Sequence, residues 1–103
     1  MSDRTIGILG LGIFGSSVLT ALAKQDMNII AIDDHAEHIN QFEPVLARGV
    51  VGDITDEELL RTAGIDTCDT VVVATGENLE SSVLAVMHCK SLGVPRVIAK
   101  VKS

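Results

Sequence analysis

Six residues near the amino terminus, Gly10–Gly15, have types and spacing that suit the binding of a phosphate group. Their sequence, Gly-Leu-Gly-Ile-Phe-Gly, follows an apolar run and precedes a helical pattern, and this context gives a G-x-G-x-x-G match its meaning. We expect Gly10 to permit a tight turn, Gly12 to let a pyrophosphate approach the backbone, and Gly15 to let the helix pack closely on the strand. Free N–H groups at the start of the helix would then face the phosphates. The alternative is a glycine-rich turn that serves only tight packing.

A carboxylate, Asp33, ends the second apolar run, about 20 residues beyond the glycines. At this position it can accept hydrogen bonds from the ribose hydroxyls of adenosine, and it would repel a 2′-phosphate. Residues 34–38 contain no arginine that could receive such a phosphate. We therefore expect NAD(H) rather than NADP(H). The alternative is a loop aspartate that caps the next helix, although Asp34 is the better candidate for that cap.

Two further loops contain candidate binding residues. Gly52 and Asp53 end the third apolar run, where a carboxylate can accept from the exocyclic amine of adenine; the alternative is an aspartate that caps the helix beginning at Asp56. The segment Thr75–Asn78 follows the fourth run and would face the phosphates, although Glu77 in that segment can equally be a solvated residue that opens a helix. Both loops are expected at the ligand-binding edge of the sheet.

Other ionisable residues leave their roles open. Lys100 can reach a phosphate or simply face solvent. His35 and His38 share one face of a short helix and, with Asp34, could bind a metal, but surface histidines without a third firm ligand usually do not. Cys68 and Cys89 show no C-x-x-C spacing and are interpreted as reduced thiols, and His88 as a packed or solvated residue.

These loops are positioned by strands that alternate with helices along the whole chain. The apolar runs at 6–9, 29–32, 50–51, 71–74 and 97–101 are predicted strands, and the segments between them have helical spacing or helix caps. Alternation of this kind predicts an α/β fold with a parallel sheet of about five strands in the order 3-2-1-4-5, in the three-layer arrangement of the Rossmann type. The switch point would lie between the first and fourth strands.

The composition of the chain argues against several classes of function. The chain has 103 residues, enough for one domain, and a net charge of −6, which argues against nucleic acid and anionic membrane surfaces as partners. No apolar run is long enough to span a bilayer, and no signal-peptide pattern opens the chain. No catalytic constellation is present, because the chain has no Tyr, no nucleophile elbow and no second domain to hold a substrate. We therefore expect no enzyme activity.

The residues also resemble those of a known family, the amino-terminal lobe of RCK (KTN, TrkA-N) domains, which regulate potassium channels and Trk/Ktr uptake systems. The resemblance covers about residues 5 to 102. It rests on Ile8–Gly15, on Gly52–Thr55 with Leu59-Leu60, Ala63-Gly64-Ile65 and Asp69, and on Asn78 and Leu84 with Leu92–Val101.

The resemblance implies a cytoplasmic nucleotide-binding regulatory subunit that gates potassium flow. Its partners would be further copies of itself, as a homodimer or ring, and an integral membrane potassium-translocating subunit at the inner face of the membrane. Its ligand would be NAD(H), with ADP or ATP possible. The expected nucleotide-binding residues are Gly10, Leu11, Gly12, Ile13, Phe14, Gly15, Asp33, Asp34, Gly52, Asp53, Ile54, Ala74, Thr75, Gly76, Glu77, Asn78 and Lys100.

The sequence departs from the family in two ways. Many Ktr-type members have an arginine where this chain has Ile13, and that arginine can meet the terminal phosphate of ATP, so a γ-phosphate sensor is less expected here. The sequence also stops at Ser103, just after the fifth predicted strand, so residues 1–103 are expected to be a piece of a longer protein.

The alternative function is the NAD-binding half of an oxidoreductase that lacks its catalytic domain.

Overall fold

The computed structural model describes residues 4–75 and 78–100. Within them, five parallel strands form one sheet in the order β3-β2-β1-β4-β5, which confirms the predicted order and the Rossmann-type α/β fold. The strands are β1 (Thr5–Leu9), β2 (Asn28–Asp33), β3 (Arg48–Val51), β4 (Thr70–Val73) and β5 (Arg96–Ala99).

Helices occupy the connections between the strands. They are α1 (Ile13–Leu22), α2 (Ala36–Phe42), α3 (Glu57–Ala63) and α4 (Leu79–Ser91). Two 3₁₀ turns, Glu43–Val45 and Ile65–Thr67, lead into β3 and β4. Pro44 lies in the first of these turns and cannot continue a helix, and α2 ends two residues before it.

Local chemistry explains the bounds of α3. The carboxylate of Asp56 accepts from the N–H groups of Glu58 and Leu59 at 3.1 and 3.3 Å and caps the amino terminus. Gly64 ends the helix in the left-handed conformation, with φ of 96°, which a residue with a side chain adopts at a cost. The helix therefore begins directly after the Asp56 cap and ends directly before Gly64.

Alternate residues of the central strands supply two cores on opposite faces of the sheet, which gives the three layers. Leu9 and Ile30 pack with Leu60 of α3 and Ala85 of α4, whereas Ile8 packs with residues of α1 and α2 on the other face. Because both faces of β1, β2 and β4 are covered, these strands are apolar runs rather than alternating ones. The strands end at one edge of the sheet, where the predicted binding loops begin.

Two strand predictions need correction. The third strand begins at Arg48 rather than Val50, because its partner Ile30 extends the parallel register in that direction. The fifth strand is Arg96–Ala99 rather than 97–101, so Lys100 follows the strand instead of lying within it, and Val101 lies outside the described residues. Its N–H still donates to the carbonyl of Val73, at 3.2 Å, which holds the backbone of Lys100 beside the end of β4.

Candidate functional site

A cleft of about 520 Å³ opens at the carboxyl edge of the sheet, within the size range of small-molecule sites. It lies where β1 and β4 are neighbours, the switch point at which open α/β sheets bind ligands. Most of the residues predicted from the sequence line it: Gly10, Gly12, Ile13, Phe14, Asp33, Asp34, Gly52, Asp53, Ile54, Ala74, Thr75, Asn78 and Lys100. Their contact with a nucleotide remains a prediction.

Four predicted residues are not among the lining residues. Leu11 has its side chain in the core, 2% exposed, and contributes to the site through its backbone. Gly15 is buried behind Gly10 at the start of α1. Gly76 and Glu77 lie outside the described residues.

The three glycines of the run have different local roles. Gly10 has a φ of 100°, and a Cβ there would lie 2.7 Å from the carbonyl oxygen of Ala74, so the predicted tight turn requires glycine. At Gly15 a Cβ would overlap the carbonyl oxygen of Gly10, which confirms the predicted close packing of helix on strand. At Gly12 a Cβ would meet nothing within 4 Å, because this residue borders the open cleft.

Asp33 joins the glycine run to the end of β2. Its Oδ2 accepts from the N–H of Leu11 at 2.6 Å, and its Oδ1 accepts from the N–H of His35 at 2.7 Å. The Nδ1 of His38 lies 3.0 Å from the same Oδ1. Burial acts to raise the pKa of this carboxyl, but the Leu11 and His35 N–H groups and His38 together outweigh it, so the pKa is lowered.

Asp34, which the sequence offered as the better candidate for a cap of α2, does not cap that helix. The residue at the cap position is His35, and no side chain caps the helix there. The carboxylate of Asp33 takes the His35 N–H instead. Asp34 is exposed and places Oδ1 2.7 Å from the Nδ1 of His35, and this carboxylate, with a smaller effect from Asp33, raises the pKa of His35.

Asp53 forms a tight turn beside the cleft. Its Oδ1 accepts from the N–H of Thr55 at 2.8 Å and from the Thr55 hydroxyl at 2.7 Å, and these two contacts lower the pKa of the carboxyl. Asp53 therefore does not cap α3, since Asp56 does. His88 of α4 connects this loop to helix α4. Its Nε2 lies 2.9 Å from the carbonyl oxygen of Thr55, and its Nδ1 lies 2.9 Å from Oε1 of Glu57.

The far side of the cleft has one ammonium group and a helix cap. Nζ of Lys100 lies 5.1 Å from the centroid of the Phe14 ring, a cation–π distance. Asn78 caps α4 by accepting from the N–H of Ser81 at 3.0 Å. The hydroxyl of Thr75 contacts that of Ser82, which anchors the end of β4 to the same helix.

Sequence reasoning did not include three lining residues, His35, His38 and Ser81, among the binding residues. The signal was present for the first two, because they directly follow Asp33 at the ligand edge of the sheet. For Ser81 the sequence signal was its position in the first turn of α4, directly after the Asn78 cap at the ligand edge of the sheet.

The fold and the cleft define a Rossmann-type α/β domain. The TrkA-N domain family model matches residues 6–103. The chain belongs to the TrkA-N domain family.

Curated relatives of the chain are Ktr and Trk system potassium uptake proteins. The chain is 33% identical over 100 residues to Ktr system potassium uptake protein C of Bacillus subtilis, covering 97% of this chain and 45% of the relative. It is 27% identical to Ktr system potassium uptake protein A of the same organism, covering 100% of this chain and 46% of the relative. The chain thus spans less than half the length of these relatives.

Solved structures share the fold. The NAD(P)-binding domain of an exopolyphosphatase-related protein from Archaeoglobus fulgidus superposes with a TM-score of 0.79 at 22% identity, over 95% of this chain and 73% of that one. The Kef CTD of Shewanella denitrificans in its AMP-bound form gives a TM-score of 0.76 at 20% identity, over 93% and 58%. Among the residues described here, no helix combines the length and apolarity needed to cross a membrane.

Proposed function

We propose that this TrkA-N domain binds NAD(H) in the cleft and serves as the nucleotide-sensing part of a cytoplasmic regulator of a potassium uptake system. The observation that carries the nucleotide assignment is the buried Asp33 carboxylate, fixed by the Leu11 N–H at the point where the glycine run meets β2. The potassium assignment is supported by family membership and by the names of the Ktr and Trk relatives.

The pyrophosphate would lie over Gly12 and the start of α1. The first N–H groups of a helix have no partner within the helix, and the first turn of α1 contains no acidic residue to compete for them. The open space at Gly12 admits a phosphate against the backbone. Lys100, whose ammonium stands over Phe14, can supply a positive charge on the other side.

The adenosine would lie between Asp33 and Asp53. A carboxylate has about four acceptor positions, and three on Asp33 face Leu11, His35 and His38. One position is left for a ribose hydroxyl when the exposed His35 ring, whose Nδ1 lies 3.3 Å from Oδ1, turns away, and a movement of the partly exposed His38 ring would free a second. Asp53 can accept from the adenine amine. The carboxylates of Asp33, Asp34 and Asp53 on this side, with no arginine among the described lining residues, disfavour a 2′-phosphate.

Ligand choice is tested by equilibrium titration of the purified chain with NADH, NADPH, ADP and ATP. We expect NADH to bind at least about tenfold more tightly than NADPH, because the 2′-phosphate would approach a buried, ionised carboxylate. Equal affinity for the two would refute the role of Asp33 in excluding NADP(H). Tighter binding of ADP or ATP than of NADH would refute NAD(H) as the ligand.

The regulatory role is tested in the source cell. Deletion of the gene should lower potassium uptake under limiting potassium, and restoring the wild-type gene should return it, whereas a Gly12→Ala gene should not. Unchanged uptake after deletion would refute the potassium assignment. Oxidation of NADH by a substrate on the purified chain would instead support an oxidoreductase.

A further inference from the structure

Two histidines and a carboxylate converge at the rim of the cleft. The Nδ1 atoms of His35 and His38 lie 3.3 and 3.0 Å from Oδ1 of Asp33. The two imidazole rings have centroids 4.9 Å apart, and one ligand atom from each of the three residues lies within 4.8 Å of the others. Three side chains with metal-ligand chemistry are therefore already gathered around one point.

We propose that Asp33, His35 and His38 bind a divalent transition-metal ion such as Zn²⁺. Imidazole nitrogen and carboxylate oxygen are ordinary zinc ligands, with bonds of about 2.0–2.2 Å. Bonds of that length place neighbouring ligands of a tetrahedral ion about 3.4 Å apart. The spacings from Asp33 to the two histidines are close to this value and the third spacing is at most 4.8 Å, so rotation of the two imidazole rings would admit an ion. The fourth position would hold water.

The local fold explains why the three residues meet. Asp33 ends β2, His35 occupies the residue before α2, and His38 follows it by three positions, the spacing that places two side chains on one helix face. The Leu11 N–H holds Oδ2 of Asp33 and leaves Oδ1 turned toward the histidines. A hydrogen bond to a ligating carboxylate of this kind orients it for the ion.

Access and charge also suit a cation. The side chains of His35 and His38 are 60% and 37% exposed, so an ion can arrive from solvent without opening the core. Asp33 and the adjoining Asp34 together supply two negative charges against the two positive charges of the ion. The carboxylate of Asp34 lies 2.7 Å from Nδ1 of His35, so it would be a negative charge close to the bound ion.

The direct test is titration of the untagged, metal-free chain with Zn²⁺ by calorimetry and with Co²⁺ by visible absorption. We expect one ion per chain and the visible bands of tetrahedral cobalt with nitrogen and oxygen ligands. His35→Ala and His38→Ala should each weaken binding by at least about tenfold, since even the loss of a residue that only supports a ligand costs that much. Glu80→Gln, which changes an exposed carboxylate in the first turn of α4, should bind the ion as the wild type does.

Three results would overturn the metal site. One is the absence of saturable binding, another is wild-type affinity in both histidine variants, and the third is a cobalt spectrum with thiolate charge-transfer bands. The last result would place the ion on Cys68 or Cys89 instead.

A second consequence rests on the proposed function. An ion on Oδ1 of Asp33 would take the acceptor position that a movement of the His38 ring frees for a ribose hydroxyl, so zinc should weaken NADH binding, and His35→Ala should remove that effect relative to its own zinc-free affinity. Unchanged NADH affinity at saturating zinc would refute this antagonism. If NADH does not bind at all, the proposed function fails while the zinc titration still decides the metal site.

Discussion

The backbone N–H of Leu11 donates a 2.6 Å hydrogen bond to the buried Oδ2 of Asp33, across 22 positions of the chain. This contact ties the glycine run after β1 to the end of β2. Because the other oxygen of Asp33 accepts from the N–H of His35, one carboxylate fixes two loops at once. The architecture of the cleft therefore depends on a side chain at this position that has two acceptor oxygens.

Asp33→Asn should destabilise the domain. An amide offers one acceptor oxygen, so its NH₂ group would face the N–H of either Leu11 or His35. Leaving a buried donor without an acceptor costs about 1–3 kcal/mol. Chemical denaturation measures the loss, and Asp34→Asn, next to it but with a side chain 74% exposed, should stay within about 0.5 kcal/mol of wild type. Equal stability of the two variants would contradict the role given to the Leu11 contact.

Gly15→Ala and Gly12→Ala should differ sharply in stability. The added methyl group at Gly15 would overlap the Gly10 carbonyl oxygen and push α1 away from β1, which should lower the free energy of unfolding by at least about 2 kcal/mol. At Gly12 the methyl group enters open space, and the cost should stay below about 1 kcal/mol, the effect of alanine at a helix cap. A stable Gly15→Ala protein would show that α1 does not pack as described.

Ile13→Arg should increase the preference for ATP over ADP. Ile13 is 93% exposed at the start of α1, so a longer side chain there displaces nothing from the core. An arginine–phosphate contact is a strong, charge-assisted hydrogen bond, and we expect a gain in ATP affinity of about tenfold or more. Parallel titrations of Ile13→Gln control for side-chain length. The same ATP-to-ADP ratio in both variants would place the terminal phosphate elsewhere.

Cys68 and Cys89 should be unreactive in the native protein. Burial raises the pKa of Cys68 to about 12 and that of Cys89 to about 11. At pH 8 these values leave about one thiol in ten thousand and one in a thousand ionised, and the thiolate is the reactive form. A thiol-reactive disulfide reagent should label neither residue quickly in buffer and both in denaturant. Rapid native labelling of either residue would contradict its burial.

The strand order and most of the cleft were predictable because they follow from local patterns. The apolar run at β4, the Asp56 cap and Gly64 define their elements without knowledge of distant contacts. The strand order follows from the general rules for alternating strands and helices. Each loop that follows a strand in this order is brought to the same edge.

The arrangement around Asp33 was not predictable from spacing. The sequence identifies Asp33 as the residue of the cleft, but it does not show that the same carboxylate also accepts from the N–H of His35, at the helix start where Asp34 was the candidate cap. The deciding contact is the Leu11 N–H, which draws the carboxylate of Asp33 inward and gives it a second contact to His35. The meeting of Lys100 with Phe14 likewise depends on the placement of β5 beside β4.

Thermal unfolding of wild type and Gly12→Ala, each with and without NADH, tests the central claim most directly. A ligand at 100 times its Kd adds about 2.7 kcal/mol, a shift in Tm on the order of 10 °C for a domain of this size. We expect that shift for wild type and none for Gly12→Ala at the same NADH concentration, although the unliganded proteins unfold at similar temperatures. No shift in wild type, or an equal shift in both proteins, would contradict nucleotide binding over the glycine run.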